Sequence, residues 1–234
     1  MKICKSITDW YLGNNKDIEH EVPKAGLGRL FYLMWNHLDK FFVINVVFIL
    51  CCIPIVTIPA AVCGMNRYFI KMYQDGYGFE LSDFFHEFRL QLIKSIPIGI
   101  PLGLLMFYGY YLLRMSYEFQ NGEQASFVWM IGIACMLFAA LFGNICFVLL
   151  SSLDLPNKYI VKNAFILILC EWKASLLGLI SVMALCGMFL LFFPYSVVFP
   201  LLGCFSFTQF LVCSSIFPAV HRRIIEPYEK RIVQ

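Results

Sequence analysis

The chain has 234 residues, 60% of them hydrophobic and only 14% charged, with a formal net charge of +3. Soluble globular domains carry roughly 25% charged residues, so this chain could not cover its apolar surface in water. So small and dispersed a positive charge gives no basis for a nucleic-acid partner; the expected partner is a lipid bilayer.

Residues 1–25 read as a polar tail without the apolar region of a cleavable signal, and no signal peptide is expected. Residues 26–38 place Leu27, Leu30, Phe31, Met34 and Leu38 on one helical stripe. This helix lies in the membrane interface or packs as an ordinary surface helix. Residues 41–63 carry no charge and are long enough to cross the ~30 Å hydrocarbon core of a bilayer. Pro54 and Pro59 remove two backbone donors from this first span, so it should bend or break there. The freed carbonyls then need partners such as the Thr57 hydroxyl. Asn45, Pro54, Thr57 and Pro59 are therefore one candidate functional set.

Beyond the break, Asn66, Arg67 and Lys71 lead toward the surface, and Asp75–Gly76–Tyr77–Gly78 signals a turn. An amphipathic helix is expected over 82–94, capped by Ser82, with Phe84, Phe85, Phe88 and Leu92 on its apolar face. Uncharged tracts at 95–113 and 124–153 hold the second and third spans (the third placed at 127–150). Gly99 and Gly103 have the spacing that lets helices approach closely. A third amphipathic helix is expected at 157–170. The uncharged tract 174–220 is long enough for two crossings, at 174–193 and 198–218 with a break at Pro194, and residues 221–234 form a charged tail. The expected fold is an all-α polytopic bundle of about five spans with amphipathic interfacial helices, in one domain from 26 to 220.

Arg67, Lys71, Arg89 and Lys94, then Lys158, Lys162 and Lys173, then Arg222, Arg223, Lys230 and Arg231 all fall on one side. The opposite loops carry Arg114 alone, so the basic side and the C-terminus are expected in the cytoplasm and the protein in the cell membrane. Five crossings would put the N-terminal segment outside despite its six Lys and Arg. Re-entry of residues 41–63 at the proline break would return it inside.

Chemistry is sparse. No HExxH, GxSxG or Walker A sequence occurs, and His20, His37, His86 and His221 are far apart, so no catalytic residue, metal or cofactor is expected. The spans lack carboxylates and histidines, which disfavours a proton-coupled carrier. The ten cysteines fall mostly in uncharged tracts and form no CxxC pair; they read as reduced packing residues.

Asn45 followed by Pro54-Ile55-Val56-Thr57-Ile58-Pro59-Ala60-Ala61, then Asn66, Arg67 and Lys71, then Asp83-Phe84-Phe85 and Phe88-Arg89, resembles the YesL-like family. These are bacterial integral membrane proteins of unassigned activity. Asp154-Leu155 and Lys162-Asn163-Ala164 look like the family's second cytoplasmic segment, although Val148-Leu149-Leu150 stands where the family often has a proline. The resemblance implies five or six spans, frequent encoding near carbohydrate uptake systems, and no catalytic residue to carry over.

The expected function is a non-enzymatic accessory or permease-like component of such an uptake system. Its partners would be transporter subunits docking on Arg67, Asp83, Phe84, Phe85, Phe88 and Arg89. A self-contained facilitator would instead need a polar cavity at the proline break. An enzyme acting on lipid or lipid-linked sugar would need Arg67, Asp83, His86 and Arg89 in one pocket.

Overall fold

The computed structural model describes residues 27–76, 80–118, 123–192 and 203–228, and every regular element among them is helical. Helix α1 (Leu27–Asn36) turns at His37 into α2 (Leu38–Cys51), the two meeting at 77°. A 3-10 turn at Ile55–Thr57 leads into α3 (Ile58–Asp75). Then follow α4 (Leu81–Lys94), α5 (Ile96–Glu118), α6 (Glu123–Ser152), α7 (Asn157–Cys170), α8 (Trp172–Leu191) and α9 (Cys204–Val220). The expected break at Pro194 and the polar N-terminal tail lie outside the described residues.

Among the described residues four helices are long and apolar enough to cross a membrane: Ile96–Tyr117, Ala125–Ser152, Trp172–Phe189 and Cys204–Tyr228. Counting bent α1–α2 as one broken span gives five. Their outward faces are apolar: Leu104, Phe107, Tyr110 and Tyr111 on α5, and Leu176, Leu177 and Ile180 on α8, are exposed. Such faces are stable against acyl chains and not against water. The protein is an all-α, membrane-embedded bundle.

Residues 41–63 are not one rod. Helix α2 stops at Cys51, and α3 begins only at Ile58, with Pro59 in the first turn, where a missing N–H costs no helical bond. The Thr57 hydroxyl lies 2.6 Å from the Cys51 carbonyl and 2.5 Å from that of Pro54, supplying the donor the interrupted helix lacks. From the break the chain turns back. Phe41 stacks on Phe69 at 5.2 Å, and Arg29 donates to the Gln74 carbonyl at 2.8 Å with its guanidinium 5.4 Å from the Tyr73 ring. The start of α1 thus meets the end of α3, and the apolar tip of this hairpin, Ile53 and Ile55, is 73% and 80% exposed.

Helix α3 is the centre of the molecule. Its residues from Ala60 to Met72 are buried except Val62, Arg67 and Lys71. Pro59 sits against Gly99 of α5, the Cys63 carbonyl accepts from Ser151 of α6 at 2.9 Å, and Phe69 meets Phe210 of α9. Gly64 admits Phe84 of α4 so closely that a β-carbon there would lie 2.9 Å from the Phe84 carbonyl oxygen. Helices α5 and α6 cross at a glycine pair, where a β-carbon on Gly109 would come within 2.9 Å of the Gly132 carbonyl. At Gly103, half of the expected close-approach motif, a β-carbon would meet nothing within 4 Å outside its own helix backbone.

Candidate functional site

The proline-break residues are engaged in helix ends. The Asn45 side chain is fully buried and its Oδ1 accepts the Ser206 backbone N–H at 3.3 Å, reaching across to an orphan donor in the first turn of α9. The Ser206 hydroxyl meets the Phe41 carbonyl at 2.9 Å. Thr57 closes the break, and Pro54 lies exposed at the tip.

A part-polar cavity lies elsewhere among the described residues. It has a volume of about 670 Å³ and is walled by Arg67, by one face of α4, and by Leu150 to Asp154 at the end of α6. That volume lies within the roughly 300–1,000 Å³ typical of small-molecule sites. The α4 face consists of Asp83, His86, Glu87, Leu90, Gln91 and Lys94, a spacing of three and four residues that brings them to one side of a helix. Glu80, not Ser82, is the N-cap; the Ser82 hydroxyl instead donates to the Glu80 carboxylate at 2.9 Å. Asp83 accepts the Glu80 backbone N–H at 3.3 Å, which fixes the first turn.

Charges in the wall are sorted into pairs. Lys71 holds Asp83 at 2.8 Å, and Lys94 holds Asp154 at 2.7 Å. Lys94 keeps the Asp154 carboxyl below its ordinary range by direct hydrogen bonding and by its charge. Two charges have no ion pair among the described residues. Glu87, only 8% exposed, accepts from the Gln91 amide at 2.8 Å, and Arg67 makes one long contact, 3.4 Å, to the Ser151 carbonyl. Gln91, 5% exposed, donates to Glu87 and to the Leu150 carbonyl, which leaves its own buried carbonyl oxygen without a donor.

Of the expected docking residues, Arg67 and Asp83 line this cavity, Phe84 is fully buried, and Phe88 packs partly into the core beneath. Phe85 and Arg89 are exposed and lie outside the cavity wall. Of the four residues an enzyme would need, Arg67, Asp83 and His86 share the cavity and Arg89 does not. Among the described residues no three His, Cys, Asp or Glu are placed to hold a metal ion, and the nine described cysteines are free thiols. Sequence reasoning turns Glu87 toward water or headgroups, where the structure buries it, and gives no site role to Gln91, Ser151 or Asp154. The helical spacing of Asp83, Glu87, Gln91 and Lys94 was the legible signal; the contribution of α6, some sixty positions away, had none.

A membrane-embedded helical bundle with a charged, part-buried cavity at the ends of its spans is the class these features define. Residues 41–111 match the family described as "Protein of unknown function, DUF624". The match covers α2 from Phe41 onward, the break, α3, α4 and most of α5, and so includes the first block of the YesL-like resemblance but not the second. No curated protein and no solved structure matches the chain.

Proposed function

We propose that this chain is a non-enzymatic component of the cell membrane, an accessory or permease-like partner of a carbohydrate uptake system. The observation that carries the reading is the outer face of α4. This helix is anchored by Phe84 and Phe88 yet leaves Phe85, Arg89 and Ile93, four residues apart, exposed in one row, with Ile93 81% exposed. A row of two apolar side chains with a cation between them suits a helix of a second subunit at the bilayer surface. The absence of carboxylates and histidines from the uncharged tracts supports a role that leaves energy coupling to a partner. The carbohydrate assignment rests on the family resemblance. A photoreactive residue at position 93 or 89 in intact cells should form an adduct with a transporter subunit. No such adduct, together with unchanged carbohydrate uptake in a deletion strain, overturns the reading.

A further inference from the structure

We propose that the cavity between α4 and the end of α6 binds a zwitterion, an ammonium group a few ångströms from an anionic oxygen, and that its source is the headgroup of phosphatidylethanolamine. The inference goes beyond the accessory role and does not depend on it. Once Lys71–Asp83 and Lys94–Asp154 are paired, the cavity retains one negative group, Glu87, and one positive group, Arg67. Beside Glu87, the buried Gln91 carbonyl oxygen lacks a donor. A buried carboxylate and an unpaired acceptor are costly unless met by N–H or O–H donors. An ammonium group presents three, enough for both acceptors. Arg67 then offers its fork of donors to a phosphate oxygen, a geometry for which guanidinium is suited.

Depth selects the lipid over a soluble zwitterion. The cavity wall lies where two uncharged tracts stop: Ser95 begins one and Leu153 ends another. This is where headgroups begin. Leu90, Leu150 and Leu153 add apolar lining that suits the start of an acyl chain.

The test uses the full chain, delipidated in detergent and offered defined lipids, with retention read by native mass spectrometry. Phosphatidylcholine has the same charges but no N–H, and phosphatidylglycerol has the phosphate but no cation. The wild-type protein should retain phosphatidylethanolamine about tenfold better than either, the loss expected for a charged hydrogen bond left unmade. Glu87→Gln should abolish the preference. Because Glu87 is buried and its replacement could disturb folding, Arg67→Met at an exposed position is the second variant, expected to lower retention of all three lipids about equally at unchanged Tm. Lys158→Gln, on exposed α7 surface, should keep it. Tighter binding of free phosphoethanolamine than of the lipid, with phosphocholine rejected, would support the ammonium chemistry and reassign the source as soluble. Equal retention of all three lipids, a preference that survives Glu87→Gln, or undiminished retention by Arg67→Met overturns the proposal.

Discussion

Pro59 occupies the space that a β-carbon on Gly99 would need: built there, the atom would lie 2.3 Å from the proline Cγ and 2.7 Å from its Cβ. The contact joins the first turn of the central helix α3 to the start of the span α5. A pyrrolidine ring cannot swing aside as a long side chain can.

Gly99→Ala should therefore destabilise the protein by about 1–3 kcal/mol, the range for overpacking a tight contact. Gly103→Ala, four residues on and with nothing within 4 Å, should be neutral or slightly stabilising through helix propensity. Thermal melts of both variants in detergent check the contrast. Equal effects would mean the Pro59 contact carries no energy.

Asn45→Leu keeps the size of the side chain and removes the acceptor for the Ser206 N–H. The buried donor is then unmet, at a cost of about 1–3 kcal/mol. The first turn of α9 should lose hydrogen-exchange protection ahead of the rest of the helix.

Glu171 joins the α7–α8 junction to the end of α9 through Arg222 at 2.7 Å and Arg223 at 2.9 Å. Hydrogen bonds from Arg223 and then Arg222 hold its carboxyl below the ordinary 4.5. A carboxylate whose folded value is depressed stabilises the fold above its unfolded value and loses that contribution as pH falls through the folded one. Melting temperature should thus drop in acid below about pH 4.5. Glu171→Gln should lower it at neutral pH and flatten the acid dependence.

The return of α3 toward α1, fixed by Arg29 on the Gln74 carbonyl, predicts sidedness. A re-entrant hairpin over residues 38–75 followed by four crossings places both termini on the same face. The six basic residues of the N-terminal segment then join the other basic segments, as the positive-inside tendency favours. Topology reporters fused at either terminus should both read cytoplasmic. Opposite readings would mean that residues 41–63 cross outright.

Much of this architecture is visible in local pattern. The Pro54–Pro59 pair announces the break, and the Thr57 hydroxyl is the nearest donor able to repair it. The α4 stripe is visible too, but not its direction. Phe84 and Phe85 are equally apolar neighbours, yet Phe84 is fully buried against Gly64 and Phe85 is exposed, which only the packing of α4 on α3 decides. Likewise Asn66, Arg67 and Lys71 suggest a surface segment. Asn66 is buried instead, accepting from Gln209 and from the Cys213 thiol, because α9 lies over that side of α3.

The sequence by itself determined the helices and their solvent. Long uncharged tracts can satisfy their backbone groups in lipid only by coiling on themselves, which requires no knowledge of neighbours. The tertiary structure alone decided that the chain doubles back at residues 53–57, that the most polar of the apolar segments becomes the core, and that Glu87 and Arg67 share a cavity without pairing. Those outcomes depend on contacts between residues as distant as Cys63 and Ser151, and no local period encodes which side of a helix another will cover.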